Sequence, residues 1–201
     1  MKNLCYLVLA LLAFGACKKQ EAIVDLPIEK LYFFEYNYFH DEDENEPYFK
    51  FHVIGFCELD SNFNLTNARR LSFKCPYYSD SHDILPDSMK KEISNIILKY
   101  PTDTIFCYNG EIGSRIYDGN AYRIIMQHDS GKTTTIKFEP KYLPDDLYFL
   151  YSYLYANRKC EHKNTYKELI KMFEEEAKDD MIRMPILKET IKFTPPVIKK
   201  K

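Results

Sequence analysis

Three turn signals spaced through residues 103–138 constrain this chain more than any other feature. Asn109-Gly110 supplies the two consecutive residues of positive φ that a type I′ turn requires. It reads as a two-residue β-hairpin loop that pairs Tyr108 with Glu111 and Cys107 with Ile112. At Asp118-Gly119-Asn120 a two-residue loop sets Arg115 against Tyr122 and mixes polar with apolar side chains on one face. A three-residue loop pairs Tyr117 with Ala121 and Ile116 with Tyr122, and keeps the apolar set together. Side chains alternate along a strand with period two, so register follows the face that must be buried. That selects the three-residue loop. Asp129-Ser130-Gly131 then pairs His128 with Lys132, Ile124 with Ile136 and Tyr122 with Phe138. The outcome is a four-stranded antiparallel meander with Ile105, Cys107, Ile112, Ile116, Tyr122, Ile124, Met126, Ile136 and Phe138 on one side.

The remaining sequence supplies strands before this stretch and helices around it. Residues 30–39 are rich in Tyr and Phe, an acidic run occupies 41–47, and 48–59 is again strand-like. This reads as two antiparallel strands joined by a charged loop. Residues 70–75 form a third candidate strand and 77–83 a polar loop. Leu85-Pro86-Asp87 opens a helix, since Pro suits a first turn and Asp the positive end of the helix dipole. Met89, Ile93, Ile96, Ile97 and Tyr100 make one apolar stripe along it, and Pro101 ends it. Leu143-Pro144-Asp145 opens a second helix, to about Asn157, that is apolar all round and so meant for burial or for a partner. Thr165-Tyr166-Lys167-Glu168 has the capping-box pattern of a third helix, whose buried side carries Tyr166, Leu169, Ile170, Phe173 and Ala177. Residues 186–193 add a candidate strand, and 194–201 read as a flexible basic tail. The expected fold is α+β: an antiparallel sheet of the four meander strands plus the N-terminal strands, with two or three helices packed on one face. Residues 30–193 form that domain, as one body or as two halves, 30–101 and 102–193.

The first residues read as an address rather than as part of the fold. Met1-Lys2-Asn3 is a basic start, residues 4–13 are apolar, and Phe14-Gly15-Ala16-Cys17 brings small residues before a cysteine. Such an apolar run rises about 15 Å as a helix, half of a bilayer core, so it does not span a membrane. With Cys17 directly after Gly15-Ala16, the segment resembles the signal peptide of bacterial lipoproteins. Phe14 departs from the Leu which that family prefers three residues before the cysteine. The resemblance implies cleavage before Cys17, a diacylglycerol on its thiol and an acyl group such as palmitate on its new amino group. Acyl chains at about 0.8 kcal/mol per buried CH₂ anchor such a protein firmly. Lys18 stands where an Asp retains these proteins in the inner membrane, so the resemblance points to the outer membrane. Residues 1–16 are then signal peptide and 17–29 a tether.

Charge narrows the partners. With 28 Lys and Arg against 30 Asp and Glu, the net charge is −2, and the basic surplus of a nucleic-acid binder is missing. Once Cys5 and Cys17 are set aside, Cys57, Cys75, Cys107 and Cys160 remain, none spaced Cys-x-x-Cys, so neither zinc nor thioredoxin chemistry is indicated. In an oxidising envelope Cys57 with Cys75 is the candidate disulfide. The competing reading makes Cys57 and Cys107 small buried apolar residues. Asp41, Asp43 and Asn45 match the first three ligand positions of an EF-hand loop. Glu46 stands where Gly is required and His52 where a bidentate Glu belongs, so these three are weak cation candidates and no metal is assigned. Gly131-Lys132-Thr133 lacks the upstream Gly and the following helix of a phosphate loop. Ser79-Asp80-Ser81-His82-Asp83 holds the residue types of a hydrolase triad, but neighbours in one loop do not align nucleophile and base. His40 and His52 flank one hairpin, and with His128 and His162 they show no metal-binding spacing in the sequence. No cofactor is implied.

One arrangement does point to binding. The meander register places Arg115, Arg123 and Lys137 in a cross-strand row on its outer face, with Phe106, Tyr108 and Tyr117 beside them. Like charges directly opposite one another are unfavourable unless something neutralises them. Arg115, Arg123, Lys137, Tyr108 and Tyr117 therefore form a candidate face for an anion or an acidic segment: a carboxylated glycan, a partner's acidic strand, or the chain's own Asp41–Glu46 loop. Taken together, the sequence favours a lipid-anchored envelope protein that binds a protein or glycan over an enzyme. The alternatives are an envelope hydrolase or glycan-processing enzyme with an unfamiliar site, and an inhibitor or immunity lipoprotein.

Overall fold

In the computed structural model of this chain, residues 26–39, 50–109, 120–156 and 162–180 are described. The fold is α+β and is organised by strand β1 (Lys30–Phe39). Seven of its ten residues are apolar or aromatic and they fall on both sides of the strand, so neither face can be left to water. The sheet grows from both of its edges. On one side β2 (Lys50–Asp60), β3 (Asn64–Arg70), β4 (Tyr78–Ile84) and the short β8 (His162–Asn164) follow as antiparallel neighbours. On the other side lie β6 (Ala121–Gln127), antiparallel to β1, then β7 (Thr133–Phe138) and β5 (Thr104–Tyr108). The eight strands thus run β5-β7-β6-β1-β2-β3-β4-β8 in a single sheet.

Alternation along β1 sends its side chains into two cores. Leu31 and Phe33 join Cys57, Leu59, Ile124, Met126, Ile136 and Phe138 on the first face. Helix α1 (Asp87–Ile97) covers that face with Ile93, Ile96 and Ile97, and helix α2 (Asp145–Ala156) with Leu147, Leu150 and Leu154. Lys99 Nζ, just past α1, ties the two helices by a 2.8 Å ion pair to Asp146 in the first turn of α2. Tyr32, Phe34 and Tyr36 face the other way, with Val53, Phe56, Tyr78 and Ile125. Helix α3 (Lys167–Glu176) covers this second core by inserting Phe173, whose ring centre is 4.6 Å from that of Phe34 and 4.9 Å from that of Tyr36. Both Phe173 and Ala177 are fully buried.

Several sequence expectations hold in detail. The turn after β6 pairs His128 with Lys132 through a 2.9 Å backbone bond, and Ile124 meets Ile136 and Tyr122 meets Phe138. Gly131 takes φ +74° at the third loop position, the left-handed conformation that three-residue hairpin loops need. The α1 stripe is buried as its spacing implies, and α2 begins directly after Pro144.

Other expectations are corrected. The sheet is mixed, because β5 runs parallel to β7. Strand β6 has one edge on β1 and the other on β7, and β5 pairs with the far edge of β7, so the meander order does not hold for β5, β6 and β7; the meander's second strand falls outside the described residues. The parallel register also sets Phe106 beside Ile136 and Tyr108 beside Phe138. The larger rings therefore turn towards the first core, while Ile105 is left 66% exposed and Cys107 faces out with it. Helices cover both faces instead of one, as the doubly apolar β1 demands. Residues 77–83 are largely the strand β4 and not a loop, and the third strand ends at Arg70 instead of beginning there. The cap of α3 is Tyr166, with φ +49° and no capping side-chain hydrogen bond, so the capping-box pattern at Thr165 is not realised. The candidate strand at 186–193 and the basic tail lie outside the described residues.

If the second core matters as much as the first, truncating its central ring costs as much as any core deletion. Phe173→Ala is expected to destabilise the protein by about 3–5 kcal/mol, read from the urea midpoint at unchanged m-value.

Candidate functional site

Two of the charges singled out in the sequence, Arg123 and Lys137, meet at the end of α3. Arg123 on β6 and Lys137 on β7 are directly opposite one another, on the face that α3 covers. Arg123 is 1% exposed. Its guanidinium lies over the Phe173 ring at 5.8 Å, its Nη1 donates to the Glu176 carbonyl at 2.7 Å, and its Nη2 is paired with Asp180. Lys137 Nζ is 2.5 Å from the other oxygen of the same carboxylate. Tyr38 donates its hydroxyl to the Asp180 carbonyl at 3.3 Å. Burial pushes the Tyr36 and Tyr38 phenols up, with the Arg123 charge opposing it in both, so they stay neutral donors beside the cluster. Two cations thus share one carboxylate and the electronegative C-terminal end of a helix. The arrangement is an internal ion cluster of two cations on one carboxylate, and the carboxylate is that of Asp180, which sequence reasoning did not name. Any external anion at Arg123 has to displace Asp180.

The other sequence candidates are placed as follows. Tyr108 lies on the opposite face of the sheet from Arg123 and packs against the first core, so it does not belong with the cluster. Arg115 and Tyr117 lie outside the described residues, as do Cys17 and the acidic trio Asp41, Asp43 and Asn45. Cys57 and Cys75 are both thiols and are not joined. Cys57 is buried opposite Asn67, with Sγ 2.7 Å from the Asn67 Oδ1 and 3.2 Å from the Leu154 carbonyl. Cys75 sits in the loop beyond Arg70, where its carbonyl accepts from Arg70 Nε at 2.8 Å.

A second cluster caps the far end of β1. The His52 ring is buried and stacked on Phe73 at 4.3 Å, with Phe39 edge-on to both. Arg70 Nη1 is 3.2 Å from its Nδ1, which therefore accepts. Burial first, and the Arg70 charge second, push the imidazole down to about 4. At neutral pH the imidazole is uncharged and packs between the Phe39 and Phe73 rings.

Sequence reasoning missed two features. Asp180 carries no signal of its own in a segment with several acidic residues, and only the burial of Arg123 identifies it. The outward side of α2 was visible only as a helix without a clean face. Its Leu residues point inward, and Tyr148, Tyr151 and Tyr155 form a row with ring centres 6.0 and 5.5 Å apart. Tyr151 anchors the row against Phe33, Tyr122 and Phe138.

Removing Asp180 leaves Arg123 buried and unneutralised. Asp180→Ala is expected to cost about 3–5 kcal/mol in chemical unfolding, and Arg123→Met on top of it to recover part of that loss. A neutral His52 favours the native state above its unfolded value of 6.5, and this contribution drains away as pH falls from 6.5 to about 4. The urea midpoint of the wild type should accordingly fall more steeply over that window than that of His52→Gln. No known protein family and no curated protein matches the chain.

Proposed function

We propose that this chain is a lipid-anchored cell-envelope lipoprotein that serves as a binding module for a protein or glycan partner rather than as an enzyme. The observation that carries the binding half is the aromatic row on α2. Tyr148 is 50% exposed, Phe149 41% and Tyr155 37% on a helix whose opposite side is locked into the first core. Tyrosines on a rigid element give large contact area with a polar tip and little entropy to lose, the composition favoured at recognition surfaces. Arg123 and Lys137 support the same reading, since both are engaged by Asp180 in holding α3. The anchoring half rests on Phe14-Gly15-Ala16-Cys17 and its resemblance to lipoprotein signals. Leu26, where the described structure starts, follows Cys17 by nine residues. That stretch reaches at most about 30 Å, which keeps the domain close to its membrane, with the outer membrane as the expected location.

In cells labelled with palmitate, the wild type should carry label and fractionate with membranes, while Cys17→Ser should lose both. A Cys17→Ser chain that still fractionates with membranes overturns the anchoring. Tyr148→Ser combined with Tyr155→Ser should leave the unfolding curve nearly unchanged and lower cross-linking to envelope components by about tenfold. Unchanged cross-linking removes the row from the binding surface.

A further inference from the structure

The two ends of the sheet differ in a way that neither the ion cluster nor the aromatic row explains. One end is β8, the three exposed residues His162-Lys163-Asn164. A short, charged strand is how natural sheets blunt an edge against further pairing. The other end is β5, Thr104-Ile105-Phe106-Cys107-Tyr108, with no charge and no proline. The Tyr108 carbonyl accepts from the Glu139 N–H at 3.1 Å, so the backbone groups of Tyr108 face β7. These groups alternate sides along a strand, so Ile105 and Cys107 turn their N–H and C=O groups to the open side. The Cys107 side chain lies on the sheet face that carries Lys137, and Ile105 shares that face and is 66% exposed. Among the described residues no strand pairs with the open side of β5. An apolar edge with open backbone groups is a template for one more strand.

The last described residues lie beside this edge. Asp180 Oδ1 is 2.5 Å from Lys137 Nζ, and Lys137 is the β7 neighbour of Cys107. The chain therefore leaves residue 180 two strand spacings, or about 10 Å, from the line of a strand added to β5. Ile186 follows Asp180 by six residues, which reach at most about 20 Å, enough to descend from the helix layer and cross that gap. Residues 186–193 read Ile-Leu-Lys-Glu-Thr-Ile-Lys-Phe, rich in residues that favour strands and bounded by Pro185 and Pro195. Leu187, Ile191 and Phe193 fall on one side, broken only by Glu189, with Lys188, Thr190 and Lys192 on the other. That is the alternation of a strand with one dry face. Its lysines are also the edge charges that β5 lacks. We infer that residues 186–193 add to the open edge of β5 as a further strand, entering at Cys107 and running antiparallel to it. The addition satisfies the backbone groups of Ile105 and Cys107, and the sheet then ends in a charged strand on both sides.

The test is amide hydrogen exchange on the full chain, read residue by residue by NMR. The Ile105 and Cys107 amides are expected to exchange on the order of a hundredfold more slowly in the wild type than in the double variant Thr190→Pro/Ile191→Pro. Consecutive residues of a strand point their N–H groups to opposite sides, so one of the two prolines has to remove a bond to β5. The Ile136 amide, inside the sheet, should exchange alike in both and report that the domain stays folded. A chain ending at Met184 keeps Asp180 and its ion pairs and should show the same loss at Ile105 and Cys107. Fast exchange of these two amides in the wild type overturns the pairing. Protection that survives both variants overturns it as well, and sedimentation then decides whether a second copy, seen as a dimer, holds the edge instead.

Discussion

Burial of β1 on both faces is the constraint from which the architecture follows. A strand with Leu31 and Phe33 on one side and Tyr32, Phe34 and Tyr36 on the other cannot be a sheet edge or a half-wet strand. It has to be central, and each face has to be roofed. The first roof comes from α1 and α2, supported by aliphatic side chains. The second is thinner, a single helix whose Phe173 seats among Phe34, Tyr36 and Phe51 at centroid distances of 4.6–5.6 Å. Edge-to-face and tilted rings of this kind add to the plain burial of apolar area. The ion cluster at Arg123 then fixes the end of that roof to the sheet.

The chain contains 17 Tyr, 14 Phe and no Trp, and the way the Tyr hydroxyls are used explains that preference. Tyr78 is buried and gives its hydroxyl to the Val53 carbonyl at 2.8 Å, and burial pushes its phenol up to about 12. Tyr166 holds Asp80, Tyr38 reaches the Asp180 carbonyl, and Tyr100 lies against Asp146. Each ring fills apolar space at the border of a core while its polar tip closes a hydrogen bond that Phe would leave open. The second core is accordingly bounded by tyrosines rather than sealed by aliphatic residues.

Legibility of the sequence tracked how local the determining signal was. The turn at Asp129-Ser130-Gly131, the α1 stripe and the helix entry at Pro144 depend on residues a few positions apart, and all were readable. The parallel pairing of β5 with β7 was not, because it depends on which edge of β6 is already taken by β1. Strand β4 was hidden by its own composition. Tyr-Ser-Asp-Ser-His-Asp-Ile shows no apolar alternation, and its polar residues are tolerated because β3, β8 and Tyr166 supply partners. Of the candidate site, the juxtaposition of Arg123 with Lys137 followed from the register, whereas the carboxylate between them is a long-range choice. Tyr108 was misplaced by the same error that misplaced β5.

Asp180 follows Arg123 by 57 residues in the chain. A polypeptide delivered N-terminus first, whether from a ribosome or through a translocation channel, therefore exposes the sheet's buried cation long before its counter-charge emerges. The second face stays unsealed until nearly the whole domain is out. Assembly is tied to completion of the chain, and fragments released short of residue 180 lack the closing charge and are natural prey for proteases.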